Sequence, residues 1–261
     1  MVSASARSNR MRKAAAAGAA GKAEPAGAAV SAAPADVGVD RSRPVSMASA
    51  AYDLLKTRII NNHLAAGAEI DDEAVAAELG ISRTPVREAL LRLQSDGFVE
   101  IVPRRAVRVV PISLEDMEEM YDLLTALEVY AVELLAARRP GEAEVAMLRA
   151  AITDMRRALR ADDRTAWINA DERFHRGLLT LCGNRQIAEV GVSFRDRVLR
   201  AHIVALRLRP QPSGSVTVHN ELIDLIVAGR VEEARANHLN QRVQAGREVI
   251  ASVAKAGIRM L

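Results

Sequence analysis

Cysteine is nearly missing. The single one, Cys182, excludes an internal disulfide and fits a reducing cytosol; its apolar neighbourhood points to a buried rather than a reactive thiol. Aromatic residues make up only 3% of the 261-residue chain. Alanine and leucine dominate in their place, and both are strong helix formers, so a mainly α fold is expected. Long apolar runs are missing too. No stretch approaches the roughly 18 residues needed to cross a bilayer. The basic first forty residues have no leucine-rich core of the kind a secretory signal carries. A soluble, cytoplasmic protein with no membrane partner is expected. Nor is there a strong charge of one sign. The net charge is +3; residues 1–44, with seven Lys/Arg and three Asp/Glu, hold +4, leaving −1 for the rest. A nucleic-acid reader with this balance must work through local patches.

Apolar residues amount to 49%, enough for a real core, and the length suits two modest domains. Residues 1–44 read as a disordered Ala/Gly-rich basic tail, since Gly and Pro interrupt any helix and no apolar face is present to bury. From there Ala51, Leu54, Leu55, Ile59 and Ile60 recur at helical spacing and predict a first helix from about 47 to 62. Asp71 or Asp72 can cap a short second helix that ends at Gly80. Ser82 can cap a third, with Pro85 in its first turn and Val86, Ala89, Leu90 and Leu93 on one face, ending at Gly97. Residues 98–102 and 106–110 are β-rich around Pro103-Arg104-Arg105 and predict a hairpin. Helix, helix, tight turn, helix, hairpin is the order of a winged helix-turn-helix, assigned to 45–111. From Ser113 the pattern is helical to the end. Breaks at Pro140-Gly141, Ala161-Asp162, Gly183-Asn184, Pro210 to Gly214 and Gly229-Arg230 imply about six helices in one bundle-like domain over 112–261.

Ser82, Arg83, Thr84 and Arg87 gather on the first turn and exposed side of the third helix. The N-terminus of a recognition helix enters the major groove of double-stranded DNA. Arginine can donate twice to guanine, each good pair giving about 1–3 kcal/mol of discrimination. The Ser82 and Thr84 hydroxyls, with the helix N-terminus, suit phosphate oxygens. Arg104, Arg105 and Arg108 on the hairpin can reach a neighbouring backbone or minor groove. The alternative is that these are ordinary solvated charges.

The run Leu79-Gly80-Ile81-Ser82-Arg83-Thr84-Pro85-Val86-Arg87-Glu88-Ala89-Leu90, followed by Leu93, Gly97-Phe98-Val99 and Pro103-Arg104-Arg105, closely resembles the GntR family of bacterial regulators from about Val45 to Val110. The resemblance implies that Arg83, Thr84 and Arg87 contact operator DNA, with the wing around Arg105 contributing. Ala106 stands where the family usually has glycine. The remainder resembles the FadR-like branch, whose all-helical C-terminal FCD domain binds a small-molecule effector and dimerises. That second resemblance rests on Glu128 in its apolar helix, Asp171-Glu172-Arg173-Phe174-His175 through Gly183-Asn184, and His219-Asn220-Glu221-Leu222-Ile223.

Asp171 and His175 are four apart and share one helix face. A carboxylate and an imidazole so placed can share a metal, and His219 can add a second imidazole. Such a set suits zinc, nickel, iron or manganese, and in many FCD proteins the matching residues do hold a metal within the effector pocket. The family's fourth ligand is a histidine where this chain has Gln241; His238, one turn earlier, is the other candidate. The alternative is that these histidines are hydrogen-bonded core residues. Family members that bind small carboxylates commonly carry an arginine where this chain has Leu124. The basic stretch Arg195, Arg197, Arg200, His202, Arg207 and Arg209 is available to compensate, although most of it reads as one solvated helix side.

The expected function is that of a ligand-responsive, homodimeric transcription regulator, usually a repressor. A metal-dependent hydrolase using Asp171, His175 and His219 is the alternative from another class. It needs a general base, and Glu172 points about 100° away from Asp171 on a helix. A non-specific DNA-coating protein predicts a basic body, which this chain lacks.

Overall fold

Short polar caps and glycines punctuate the apolar spacing of this chain, and the helices follow that punctuation. The computed structural model describes residues 46–102 and 106–261; the tail expected over 1–44 and the wing-tip residues Arg104 and Arg105 lie outside them. Helix α1 (Met47–Ile60) starts where the Ser46 side chain accepts from Ser49 N. Helix α2 (Asp72–Leu79) is capped by Asp71, whose Oδ1 accepts from Glu73 N and Ala74 N at 2.9 and 3.2 Å. Gly80, with φ of 64°, ends it in the left-handed region, a conformation only glycine takes without strain. The chain thereby turns at once into α3 (Arg83–Ser95). Leu55, Ile59, Val86, Ala89, Leu90 and Leu93 from α1 and α3 meet Phe98, Val99 and Val109 in one apolar core.

The hairpin strands β2 (Val99–Val102) and β3 (Ala106–Val109) pair antiparallel with Val99 opposite Val109. A third strand, β1 (Glu69–Ile70), pairs with β3 through Glu69 opposite Arg108, giving the order β1-β3-β2. Strand β1 was not expected from the sequence, because two residues are too few to show period-2 alternation.

Six helices follow: α4 (Leu114–Arg138), α5 (Ala146–Arg160), α6 (Arg164–Leu181), α7 (Arg185–Leu208), α8 (Ser215–Val227) and α9 (Val231–Lys255). Helix α4 opens on a capping box, Ser113 Oγ accepting from Asp116 N while Asp116 Oδ2 accepts from Ser113 N. Apolar faces of α5, α6 and α8 close one core around Leu148, Ile152, Phe174, Leu178 and Ile223. Met117, Tyr121 and Leu124 of α4 pack with Val198 of α7 and Val249 and Val253 of α9 in another. Leu199 and Ile203 of α7 pack against both the helix-turn-helix core and the α5/α6/α8 core. Helix α7 is therefore the element through which the two regions touch.

Gly177 of α6 packs tightly against α5, since an added Cβ would lie 2.4 Å from Leu148 Cδ2. Leu148 is fully buried. Gly177→Ala is therefore expected to cost about 1–3 kcal/mol in urea unfolding through overpacking. The cost should shrink in the Leu148→Ala background, where the obstructing methyl is gone. Additive costs would contradict this packing.

Candidate functional site

Ser82, Arg83, Thr84 and Arg87 all lie exposed on or beside the first turns of α3. Ser82 stands at the N-cap, yet its hydroxyl makes no capping hydrogen bond, contrary to its expected capping role. Arg83 Nη2 donates to Asp72 Oδ1 at 2.8 Å and Arg87 Nε to Asp72 Oδ2 at 2.9 Å. One carboxylate on α2 thus holds two guanidiniums side by side. The arginine side chains are 49% and 65% exposed, so these pairs contribute little stability; their effect is positional. The Arg87 hydrogen bond leads the causes that hold the Asp72 carboxyl below the usual range. The sequence offered Asp72 only as a helix cap.

A cavity of about 840 Å³ lies among α6, α7, α8 and α9. Asp171 and His175 line it from one turn of α6 to the next. His219 Nε2 comes within 3.3 Å of Asp171 Oδ1, and His175 Nε2 within 3.8 Å of Asp171 Oδ2. The ligand atoms of Asp171, His175 and His219 all lie within 4.8 Å of one another. A tetrahedral ion with bonds of about 2.1 Å sets its ligands roughly 3.4 Å apart, so the cluster has metal-binding dimensions. His219 Nε2 is buried and makes no hydrogen bond, although Asp171 Oδ1 lies 3.3 Å away.

The two fourth-ligand candidates part here. His238 Nε2 hydrogen-bonds Glu128 Oε2 at 3.1 Å and groups with Glu128 and His175 instead. Gln241 lines the cavity with its buried Oε1 unpartnered.

Glu128, fully buried on α4, is the point on which four helices converge. Its Oε2 meets His175 Nδ1 at 2.8 Å as well as His238, its Oε1 accepts from Arg195 Nη1 at 2.6 Å, and Arg242 Nε lies 3.4 Å away. A ring nitrogen facing an ionised carboxylate carries the proton. That tautomer leaves His175 Nε2 with its lone pair toward Asp171. Arg195 also donates to Glu172 Oε2 at 2.6 Å, and Arg176 Nε to Glu172 Oε1 at 2.9 Å. Arg176 pairs in turn with Asp196, which accepts from Lys56 Nζ of α1 at 2.5 Å. A hydrogen bond from His175 at the cavity to Glu128 and a run of ion pairs beyond it therefore lead to α1, the first helix of the N-terminal region. Glu172, the base that a hydrolase would need, is committed to Arg195 and Arg176 and does not serve the cluster.

The basic stretch of α7 corrects its expected reading as a solvated helix side. Arg195 and Arg200 are 1% and 2% exposed, and of the six residues only Arg207 is exposed. Buried acids on α4 and α6 draw Arg195 inward, while Arg200 reaches the Val110 carbonyl at 3.3 Å. Arg242, 1% exposed and lining the cavity, escaped the sequence analysis entirely.

Burial opposes the charge of Glu128, but Arg242, His175 and Arg195 overcome it and hold the carboxyl well below its usual range. Asp171 is likewise lowered: burial opposes its charge, and its interactions with His175, His219 and Arg195 outweigh that burial. Burial pushes His175 and His238 down to about 4 from 6.5, against the upward pull of Glu128.

Comparison with known proteins matches two family profiles, the bacterial regulatory proteins of the gntR family over residues 47–109 and the FCD domain over residues 119–241. An HTH-type transcriptional regulator from the TAR-I ttuE-ttuC' intergenic region of Agrobacterium vitis is 42% identical over 133 residues, 50% of this chain and 78% of that protein. The HTH-type transcriptional repressor RspR of Escherichia coli is 24% identical over 202 residues, 76% of this chain and 88% of its own. Among solved structures, a GntR transcriptional regulator from Rhodococcus sp. RHA1 superposes with a TM-score of 0.65 at 23% identity, covering 78% of this chain and 97% of its own. E. coli McbR/YncC gives 0.66 at 22%, covering 78% and 99%. These two share the fold.

In the metal-free protein, folding keeps His175 and His238 neutral down to about pH 4, whereas the unfolded chain protonates histidine near 6.5. The unfolded state binds more protons between those values, so stability is full above about pH 6.5 and falls as the pH drops toward 4. Thermal unfolding across that window is expected to show Tm falling with acid, and His238→Gln, which keeps a donor for Glu128, to flatten the slope. An unchanged slope in that variant would contradict the assignment.

Proposed function

The chain belongs to the GntR family of bacterial regulatory proteins and carries an FCD domain, and on that premise we propose that it represses transcription by binding a double-stranded operator as a homodimer and releases it when a small molecule enters the cavity. The observation that carries the DNA-reading half is the pairing of Arg83 and Arg87 on Asp72 at the exposed start of α3. A carboxylate that presents two guanidiniums in parallel prepares them for guanine edges, and the operator then replaces Asp72 as their partner. Ser82 and Thr84 take phosphate oxygens, and Arg104 and Arg105 extend the contact along the wing. The repressor name of the E. coli relative supports the sign of control.

An exposed apolar stripe on α4 favours the homodimer. Leu123 and Tyr130 are 37% and 51% exposed, and Leu127 and Leu134, on the same face, are half-buried against Ala131, Leu179 and Ile187. No helix among the described residues is long and apolar enough to cross a membrane, so this stripe is better suited to a second copy. The site of action is the bacterial cytoplasm.

Asp171, His175 and His219 fit one divalent transition metal, zinc, nickel, iron or manganese, with the Gln241 oxygen as fourth ligand in preference to His238. Such an ion supplies positive charge and open positions for oxygen atoms of the effector. Glu128 would orient His175 toward the ion through the Nδ1 hydrogen bond. Because Glu128 also anchors Arg195, the ligand state of the cavity is felt along the ion pairs to Lys56. Effector binding shifts the population toward a dimer whose two recognition helices no longer match half-sites one helical turn apart.

The test is operator affinity after selection of the site from random DNA. Arg87→Ala is expected to lose about 1–3 kcal/mol of discrimination between operator and random sequence, with an unchanged unfolding curve. Unaltered operator affinity in a folded Arg87→Ala protein would remove α3 from the interface.

A further inference from the structure

Helix α3 carries a large apolar side chain on its charged face. It sends Val86, Ala89, Leu90 and Leu93 into the core, yet Leu91 is 58% exposed. Leu91 follows Arg83 and Arg87 in steps of four residues, a spacing that keeps side chains on one side of a helix. The fold keeps the three together. Arg83, Arg87 and Leu91 line one groove of about 690 Å³ between α3 and the hairpin, with Ile101, Val102 and Val107 on the strand side. Those strand residues are themselves only half-buried. An apolar strip thus continues from the two arginines along the same groove.

The charges of the groove narrow its occupant. Its carboxylates are all engaged: Asp72 accepts from Arg83 and Arg87, Glu69 from Arg108 Nη2 at 2.6 Å, and Asp71 caps α2. The two guanidiniums suit guanine edges, whereas leucine has no hydrogen bond to give. In the major groove the apolar group on offer is the 5-methyl of thymine. Covering that methyl removes apolar surface of both partners from water. Four residues of helix advance about 6 Å, against about 3.4 Å for each base pair. Leu91 therefore stands about two base pairs beyond the contact of Arg87.

We propose that Leu91 is a specificity-determining residue that covers the 5-methyl group of a thymine in each operator half-site, about two base pairs from the guanine read by Arg87. This rests on the reading of α3 as the recognition helix. The arginines select guanine by donated hydrogen bonds, and Leu91 selects an A·T pair, in one orientation, by apolar contact. Ile101, Val102 and Val107 supply the apolar wall behind it.

The test uses the full chain and an operator selected from random DNA. Each thymine of a half-site is replaced in turn by uracil, which pairs identically and lacks only the methyl. At one position per half-site the replacement is expected to weaken binding about fourfold. Leu91→Ala should bind the thymine and uracil operators alike, and its exposed position leaves folding intact. A selected half-site without thymine, uracil without effect at every position, or a uracil penalty that persists in Leu91→Ala overturns the proposal. So does self-association of the free protein that Leu91→Ala abolishes, which gives the groove to a second copy. Arg87→Ala on the same operators separates the failures. Lost discrimination in Arg87→Ala beside a missing uracil effect confines the failure to Leu91, whereas unaltered binding by Arg87→Ala removes the recognition-helix reading and Leu91 with it.

Discussion

One buried carboxylate sets the terms for the helical domain. Glu128 is wholly removed from water, and an isolated charge there would be untenable without partners. Its partners come from three other helices: His175 from α6, Arg195 from α7, His238 and Arg242 from α9. Meeting them fixes the rotation of each helix about its axis. The consequence for chemistry is local. With its Nδ1 proton committed to Glu128, His175 can offer only Nε2 to the cavity, beside Asp171 and His219. One hydrogen bond thus meets a structural requirement and fixes which nitrogen His175 turns toward the cavity.

The same carboxylate is the start of the route outward. From Glu128 the pairing passes through Arg195, Glu172, Arg176 and Asp196 to Lys56. Nearby, Arg200 reaches the Val110 carbonyl in the linker and lies 3.5 Å from Asn62 just after α1. These contacts leave α7 by two sides, one toward the cavity and one toward the helix-turn-helix. Leu199 and Ile203 bridge the two apolar cores along the same helix. A change in charge at the Asp171 cluster has a short physical path to α1, and from α1 to the recognition helix packed on it.

Much of this was legible in the sequence. Apolar residues at helical spacing, bounded by Asp71, Gly80 and the later Gly and Pro breaks, placed α1 to α9 to within a few residues, because local propensity and core burial agree there. Asp171 and His175, one turn apart on α6, could be brought together by arithmetic alone, while His219 needed the resemblance. What escaped was non-local. Strand β1 exists only because Arg108 and Val107, 39 and 37 positions on from Glu69 and Ile70, lie alongside it. Arg195 and Arg200 looked like a solvated face because their spacing is helical and basic; their burial depends on Glu128 and Glu172, 67 and 23 residues away, and on a linker carbonyl. Arg242 carried no signal in its own neighbourhood.

Ion pairs through Glu128 and Asp196 join the cavity electrostatically to α1. Hydrogen exchange of the α1 amides around Lys56, with and without zinc, tests it most directly when elemental analysis reports the metal content of the same samples. About one zinc per chain is expected in both wild type and Asp196→Asn, with zinc altering α1 protection in the wild type alone. Bound zinc with no change in α1, or the same change in both proteins, would contradict it.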